Sequence, residues 1–304
     1  MNKKILGNAL LLLTAFIWGT AFVAQRVGME DIEPITFNAA RMVLAAAMVG
    51  ATALFMRRKA KERIAKKSAE YQKQYKRNTI IGGICCGSVL TVASILQQAG
   101  LVYTTAGKAG FITAMYILLV PIIAQVFLKQ KNTLRVWIAV IMGVVGMYLL
   151  CITESFSLSY GDALVGLSAL FFSLHILCCA YFAMRGNPIS ISAIQFMTCA
   201  LISAVFAVIM ENPSVDKLIS ALVPIVYCGI VSGGIGYTLQ LVAQRYTDPT
   251  IASLLMSMES VFAVIAGVVL LHEQMTIREL AGCLIMAVAI VMVQIPVKNG
   301  DGTS

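Results

Sequence analysis

Apolar residues run along the chain in ten stretches of about 20, parted by short polar breaks. As an α-helix rising about 1.5 Å per residue, such a stretch spans a hydrocarbon core about 30 Å thick. The stretches are apolar all round and lack the two-residue alternation of barrel strands. Helices satisfy their own backbone groups, as lipid demands. The pattern predicts an all-α integral membrane fold with spans at 6–27, 35–56, 79–101, 107–128, 133–152, 161–183, 189–210, 218–240, 249–271 and 276–295. One long basic loop is expected at 57–78, and a short polar tail at 297–304.

Composition excludes a soluble domain. Apolar residues make up 59% and charged residues 12%, with mean hydropathy +0.86, against about 25% charged residues in a typical globular domain. The net charge of +9 does not point to nucleic acid, because ten of the 23 basic residues fall between Arg57 and Arg77. Alternate loops carry Lys and Arg in a ratio of 18 to 4 if the N-terminus is inside. The positive-inside rule therefore predicts both termini in the cytoplasm of a bacterial-type inner membrane. The run after Asn2-Lys3-Lys4 reads as the first span, being too long for a cleaved leader and lacking a small-x-small site. The eight cysteines, without C-x-x-C or histidine-rich spacing, read as small packing residues. Neither a cofactor nor a metal is expected.

The chain also repeats itself. A shift of 154 residues lays Pro34-Ile35-Thr36 on Pro188-Ile189-Ser190 and Ala39 on Ala193. A shift of 143 lays Cys85 on Cys228, Gln97 on Gln240, Tyr103-Thr104 on Tyr246-Thr247, Met115 on Met258, and Thr133 and Arg135 on Thr276 and Arg278. The offsets differ by the eleven residues of the basic insertion. The expected units are 1–152 and 153–296, each of five spans. An odd number of spans inverts the second copy, the arrangement of many secondary transporters.

Several segments resemble the EamA family of the drug/metabolite transporter superfamily. They are Phe16-Ile17-Trp18-Gly19-Thr20-Ala21-Phe22, Arg41-Met42-Val43-Leu44-Ala45-Ala46, Tyr103 to Thr113 followed by Tyr116 and Val120-Pro121, and Ser253 to Ala263 running on through His272-Glu273-Gln274 to Gly282. The chain departs from that pattern at Phe171-Phe172-Ser173 and at Ser260. The resemblance implies ten helices in an inverted five-plus-five repeat and export or exchange of small metabolites across the plasma membrane. It fixes no substrate: amino-acid-like solutes, nucleosides and similar compounds all fit.

Ionisable groups within a span cost about 2.5–3.5 kcal/mol on insertion scales, so each needs a reason. Glu259 lies mid-span among Met256, Met258, Val261 and Phe262. It either faces a central cavity, pairing with a cation or taking up a proton, or forms a structural ion pair with Arg41 or Lys108. Arg41 either binds an anionic group in the cavity, braces Glu259, or snorkels outward. Polar residues form stripes at helical spacing: Thr91, Ser94 and Gln98; Thr113 and Tyr116; Tyr237, Gln240 and Gln244. With Trp18, which is deep for an interfacial residue, they are the expected lining of a midplane site; interhelical hydrogen bonding is the other reading. Tyr116 falls opposite Glu259 under the 143 shift. His175 reads as a packing residue.

Among function classes, a secondary transporter fits best. A lipid-modifying enzyme needs a carboxylate or histidine cluster that the sequence lacks, and no Walker-type loop is present to drive a pump. A membrane scaffold or sensor is the alternative, but it has no use for an inverted repeat with polar stripes. The expected partners are a small-molecule substrate and membrane lipids, the chain acting as monomer or homodimer.

Overall fold

A computed structural model describes residues 3–104, 106–151, 159–271 and 275–294. The expected tail at 297–304 and the segment His272-Glu273-Gln274 lie outside the described residues. Those that are described form helices and connecting turns, without a strand.

In chain order the helices are α1 (Lys3–Gly28), α2 (Pro34–Ala65), α3 (Ala69–Leu101), α4 (Ala106–Thr113), α5 (Tyr116–Phe127), α6 (Leu134–Cys151), α7 (Tyr160–Ala183) and α8 (Pro188–Met210). They continue as α9 (Val215–Ser220), α10 (Leu222–Val226), a π-helical segment (Tyr227–Tyr237), α11 (Thr238–Ala243), α12 (Pro249–Met256), α13 (Glu259–Leu271) and α14 (Ile277–Gln294). Among the described residues seven candidate spans are long and apolar enough to cross a membrane, and two shorter apolar helices cover Leu134–Leu150 and Pro249–Ile265. Outward faces are apolar at helical spacing, as at Leu134, Ile138, Ile141 and Val145 on α6 and Leu280, Leu284, Val288 and Val291 on α14. Water does not tolerate such stripes, whereas lipid does. The chain is a multi-pass membrane protein.

Local chemistry starts these helices. Pro34, Pro188 and Pro249 occupy first-turn positions, where a missing N–H costs nothing. Asn187 and Asp248 cap α8 and α12, and Ser159 with Asp162 forms a reciprocal capping box on α7. The N-terminus of α2 is capped from a distance. Glu211 accepts from the backbone N–H of Ile35 and Thr36 at 2.9 and 2.7 Å, and from the Thr36 hydroxyl. Glu211→Ala is expected to lower the unfolding free energy in detergent by about 1–2 kcal/mol, read as a fall in the thermal midpoint.

The expected basic loop is mostly helix. The 32 residues of α2 and 33 of α3 extend it from both sides, leaving only Lys66–Ser68 as a turn. The segment is rich in Ala, Lys, Arg and Glu, which favour helix wherever no neighbour dictates otherwise. The Ser68 hydroxyl accepts from the Tyr71 N–H to start α3.

Helices pack in matching pairs. α3 lies on both α7 and α8, while the π segment lies on both α1 and α2. α2 lies on α8, and α6 on α14. One end of the bundle gathers the α7–α8 turn against the start of Thr79's helical turn, and the start of α1 against the α11–α12 turn, as Thr79–Asn187 and Asn8–Thr247 contacts record. The other end joins the α1–α2 turn to α9 through Glu33 and Lys217, and α4 to the start of α7 through Lys108 and Asp162. Donation from Lys217 holds the Glu33 carboxyl below its ordinary range.

One close approach occurs twice. A Cβ on Gly87 would lie 2.6 Å from the Gln195 carbonyl oxygen and 2.7 Å from the Thr198 side chain; one on Gly229 would lie 2.7 Å from the Arg41 carbonyl oxygen and 2.8 Å from the Leu44 side chain. Gln195 follows Arg41 by 154 residues, as Thr198 follows Leu44, so the same contact occurs twice. Gly229 follows Gly87 by 142, whereas Glu259 follows Tyr116 by 143. The additional residue falls where the second segment is π-helical, and a π turn takes up an extra residue through its i→i+5 bonds.

Candidate functional site

The site is organised by two interruptions. α4 ends at Thr113 and α5 starts at Tyr116; α12 ends at Met256 and α13 starts at Glu259. At both places i→i+3 bonds tighten the path, from Met115 to Ile112 and from Met258 to Leu255. Tyr116 and Glu259, each the first residue after its interruption, meet: the Tyr116 hydroxyl donates to Glu259 Oε1 at 2.9 Å. α1 crosses directly over this point, since a Cβ on Gly19 would stand 2.5 Å from the Glu259 carbonyl oxygen. Only glycine permits so close an approach.

A cavity of about 40 Å³ opens beside the pair. Its walls come from α1 (Trp18, Ala21, Phe22, Gln25), α2 (Arg41), α3 (Gln97), α4 and α5 (Thr113, Tyr116), α7 (Phe172), the π segment (Ser232, Tyr237) and α13 (Glu259). Of the residues expected from sequence, Trp18, Arg41, Thr113, Tyr116, Tyr237 and Glu259 line this cavity together.

Arg41 is 5% exposed and held on both sides. Nε and Nη2 donate to Asn38 Oδ1 at 3.0 and 2.9 Å, and Nη1 donates to Gln25 Oε1 at 2.9 Å. Asn38 in turn donates to the Ser203 hydroxyl on α8. The guanidinium thus has a fixed orientation while keeping further N–H donors. Lys108 pairs with Asp162 at 2.5 Å. Among the described residues no ion pair links Glu259 to Arg41 or Lys108.

Four expected residues stand away from the cavity. Gln98 is fully buried and donates to Gln25 behind Arg41. Ser94 bonds back to the Leu90 carbonyl and touches Cys199. Gln240 is fully buried one turn below Tyr237, and Gln244 donates to the Ile176 carbonyl at 3.1 Å. α3 is buried on more than one side, so a polar stripe along it has no single destination. Gln97 faces the cavity instead, donating to the Thr113 hydroxyl at 3.1 Å. Its only trace in the sequence was the pairing with Gln240 under the 143 shift, and Gln240 itself stands away from the cavity.

Trp18 and Phe172 stand 154 residues apart and both wall the cavity. The Trp18 indole N–H donates to the Ser232 carbonyl of the π segment at 3.2 Å, and its ring packs against Tyr237 at a tilt of 52° with centroids 4.6 Å apart. A glycine at 236 admits that indole, since a Cβ there would be 2.7 Å from its nitrogen. Among the described residues no group of three His, Cys, Asp or Glu is placed to hold a metal ion.

Known proteins bear on this arrangement. A solved chain described only as "Crystal structure of protein" superposes with a TM-score of 0.76 at 16% identity, covering 95% of this chain and 96% of its own, a likeness of fold. An "Uncharacterized transporter" of Archaeoglobus fulgidus is 26% identical over 97% of this chain and 88% of its own length. The "Uncharacterized transporter YoaV" of Bacillus subtilis is 25% identical over 96% and 97%. The model of the EamA-like transporter family matches residues 5–152 and again 159–295. With nearly the whole chain covered by two copies of that pattern, this protein belongs to the EamA-like transporter family.

Proposed function

We propose that this chain is a secondary transporter that moves a small polar metabolite, amino-acid-like or nucleoside-like, across the plasma membrane by alternating access, with Glu259 as the group that carries the coupling proton. Ten spans form two inverted units, 1–152 and 153–296, with both termini in the cytoplasm. The segment from α10 to α11 is one span, and α4–α5 and α12–α13 are one interrupted span each.

One observation carries the reading: Tyr116 and Glu259, 143 residues apart in a chain that repeats at that interval, bond to each other at the first residues of two interrupted helices. Interrupted spans at a repeat interface are where secondary transporters bind substrate and ions. The recurring glycine contacts and paired packing support the two-unit reading. The excess of Lys and Arg at the α2–α3 end supports the orientation. Arg41, fixed by Asn38 and Gln25, suits a carboxylate or phosphate on the solute; the aromatic walls suit its apolar part.

A metabolite-sized pocket holds about 300–1,000 Å³, far more than this cavity. The structure therefore corresponds to a contracted state, and solute enters as the units separate. An untargeted comparison of metabolites inside and outside cells with and without the protein tests the function. A small polar solute should redistribute in proportion to expression; identical profiles would reject transport.

A further inference from the structure

Several fully buried side-chain atoms have no protein partner: Gln195 Nε2, both amide atoms of Gln240, and Gln244 Oε1. They are not scattered. Tyr237 lies ring-to-ring with His175 at 5.7 Å, and Gln244 donates to the carbonyl of Ile176. Gln240, one turn from each, therefore faces α7 between them. His175 Nε2 lies 3.1 Å from Gln195 Oε1. Gln195 of α8 thus meets the histidine of α7 directly, and Gln240 and Gln244 continue along α11 from Tyr237 beside the same helix. An apolar contact between these helices has no use for them, because a buried amide left unpaired is costly where Leu or Met would pack.

The cluster has two boundaries. Tyr237 also lines the central cavity, its ring clasped by Trp18, His175 and Phe196. Gln244 also lines a second pocket of about 420 Å³, shared with Arg185, Arg245 and Asp248 at the end of the bundle where α7 turns into α8. The order from one to the other is cavity, Tyr237, glutamine cluster, wide pocket.

We propose that the cluster of His175, Gln195, Gln240 and Gln244 is a second polar station that takes water and the neutral hydrogen-bonding groups of the solute between the central cavity and the wide pocket, with Tyr237 as the gate between them. Its lining is amide and imidazole, matching hydroxyl, amide and water rather than a formal charge. Charge recognition stays at Arg41 and Glu259. What passes along it rests on the transporter reading; its wetness does not, and thiol labelling separates the two.

Cys179 is the built-in reporter. Its Sγ lies 3.4 Å from His175 Nε2, at the edge of the polar cluster, and it is fully buried with Cys86, Ile191 and Leu241 on its apolar side. Cys228, equally buried among Ile32, Phe37, Ala221 and Ile225, is the dry control. The purified protein with Cys178→Ser, in proteoliposomes, is treated with methanethiosulfonate ethylammonium, and adducts are quantified by peptide fragmentation. Cys179 should react about tenfold faster than Cys228 or more, reflecting opening to water at one site and not the other. Gln240→Leu should slow Cys179 about tenfold, Gln240→Asn much less, and Tyr237→Ala should speed it. Equal rates at Cys179 and Cys228 in the unmutated cluster would overturn the station whatever the variants do. An unchanged Cys179 rate in a folded Tyr237→Ala protein would overturn the gate.

Discussion

Glu259→Gln is expected to lower gradient-driven flux about tenfold or more while the purified protein stays monodisperse with its thermal midpoint nearly unchanged. The amide keeps the shape of the acid, and its oxygen still accepts from the Tyr116 hydroxyl, now 2.9 Å from Glu259 Oε1. What it loses is the proton site. On the proposed mechanism this carboxyl, 3% exposed in the middle of a span, takes up a proton during the cycle, because holding its charge in the apolar interior is costly. Loss or gain of a proton there changes how tightly the two interrupted helices hold each other, which is the connection a coupled transporter needs. Exchange of solute down its own gradient should suffer less than uphill movement. A well-expressed Glu259→Gln protein with full uphill activity would remove Glu259 from the coupling step.

Asp162→Ala carries the largest expected loss of stability, about 3 kcal/mol. The Asp162 side chain is fully buried and accepts from Lys108 at 2.5 Å, from Thr104 at 2.6 Å and from the Ser159 N–H at 2.6 Å. It therefore ties the α3–α4 turn to the capping box that starts α7. Removing the carboxylate takes one buried acceptor from a partly buried ammonium, a hydroxyl and a backbone N–H at once, a heavier loss than the pair itself contributes. Unfolding of the two proteins in a mild detergent series measures it. Asp162→Asn should recover part of the loss, since an amide oxygen in the place of Oδ2 still accepts from the Ser159 N–H while the amide NH2 in the place of Oδ1 donates to the Thr104 hydroxyl. An unchanged midpoint for Asp162→Ala would mean the network adds nothing to the fold.

The helices were legible because lipid makes every span announce itself as an apolar run. Tyr116 and Glu259 were legible because a repeat places equivalent residues near a shared axis, and the 143 offset brought them together on paper. The face of α3 was not legible. Thr91 and Ser94 bond back to their own helix, at Gly87 and Leu90, which quenches polar groups without a cavity. The stripe therefore pointed to Gln98, and its neighbour Gln97 reached the cavity. The π segment left only a run of glycines, 229, 233, 234 and 236, as its trace. One extra residue absorbed within a span changes no hydropathy. The role of Arg41 was open for a different reason: nothing in one helix reveals that Asn38 and Gln25 hold the guanidinium and Glu259 does not. The basic segment at 57–77 read as loop because charge ends a span, although charge does not end a helix.

The most direct test of the account is solute flux through purified protein in proteoliposomes loaded with a mixed pool of small polar metabolites, with and without an imposed proton gradient. The account predicts that one solute or a narrow group crosses, that the gradient drives it uphill, and that Glu259→Gln abolishes the uphill component. Profiles matching protein-free liposomes under every gradient would contradict it.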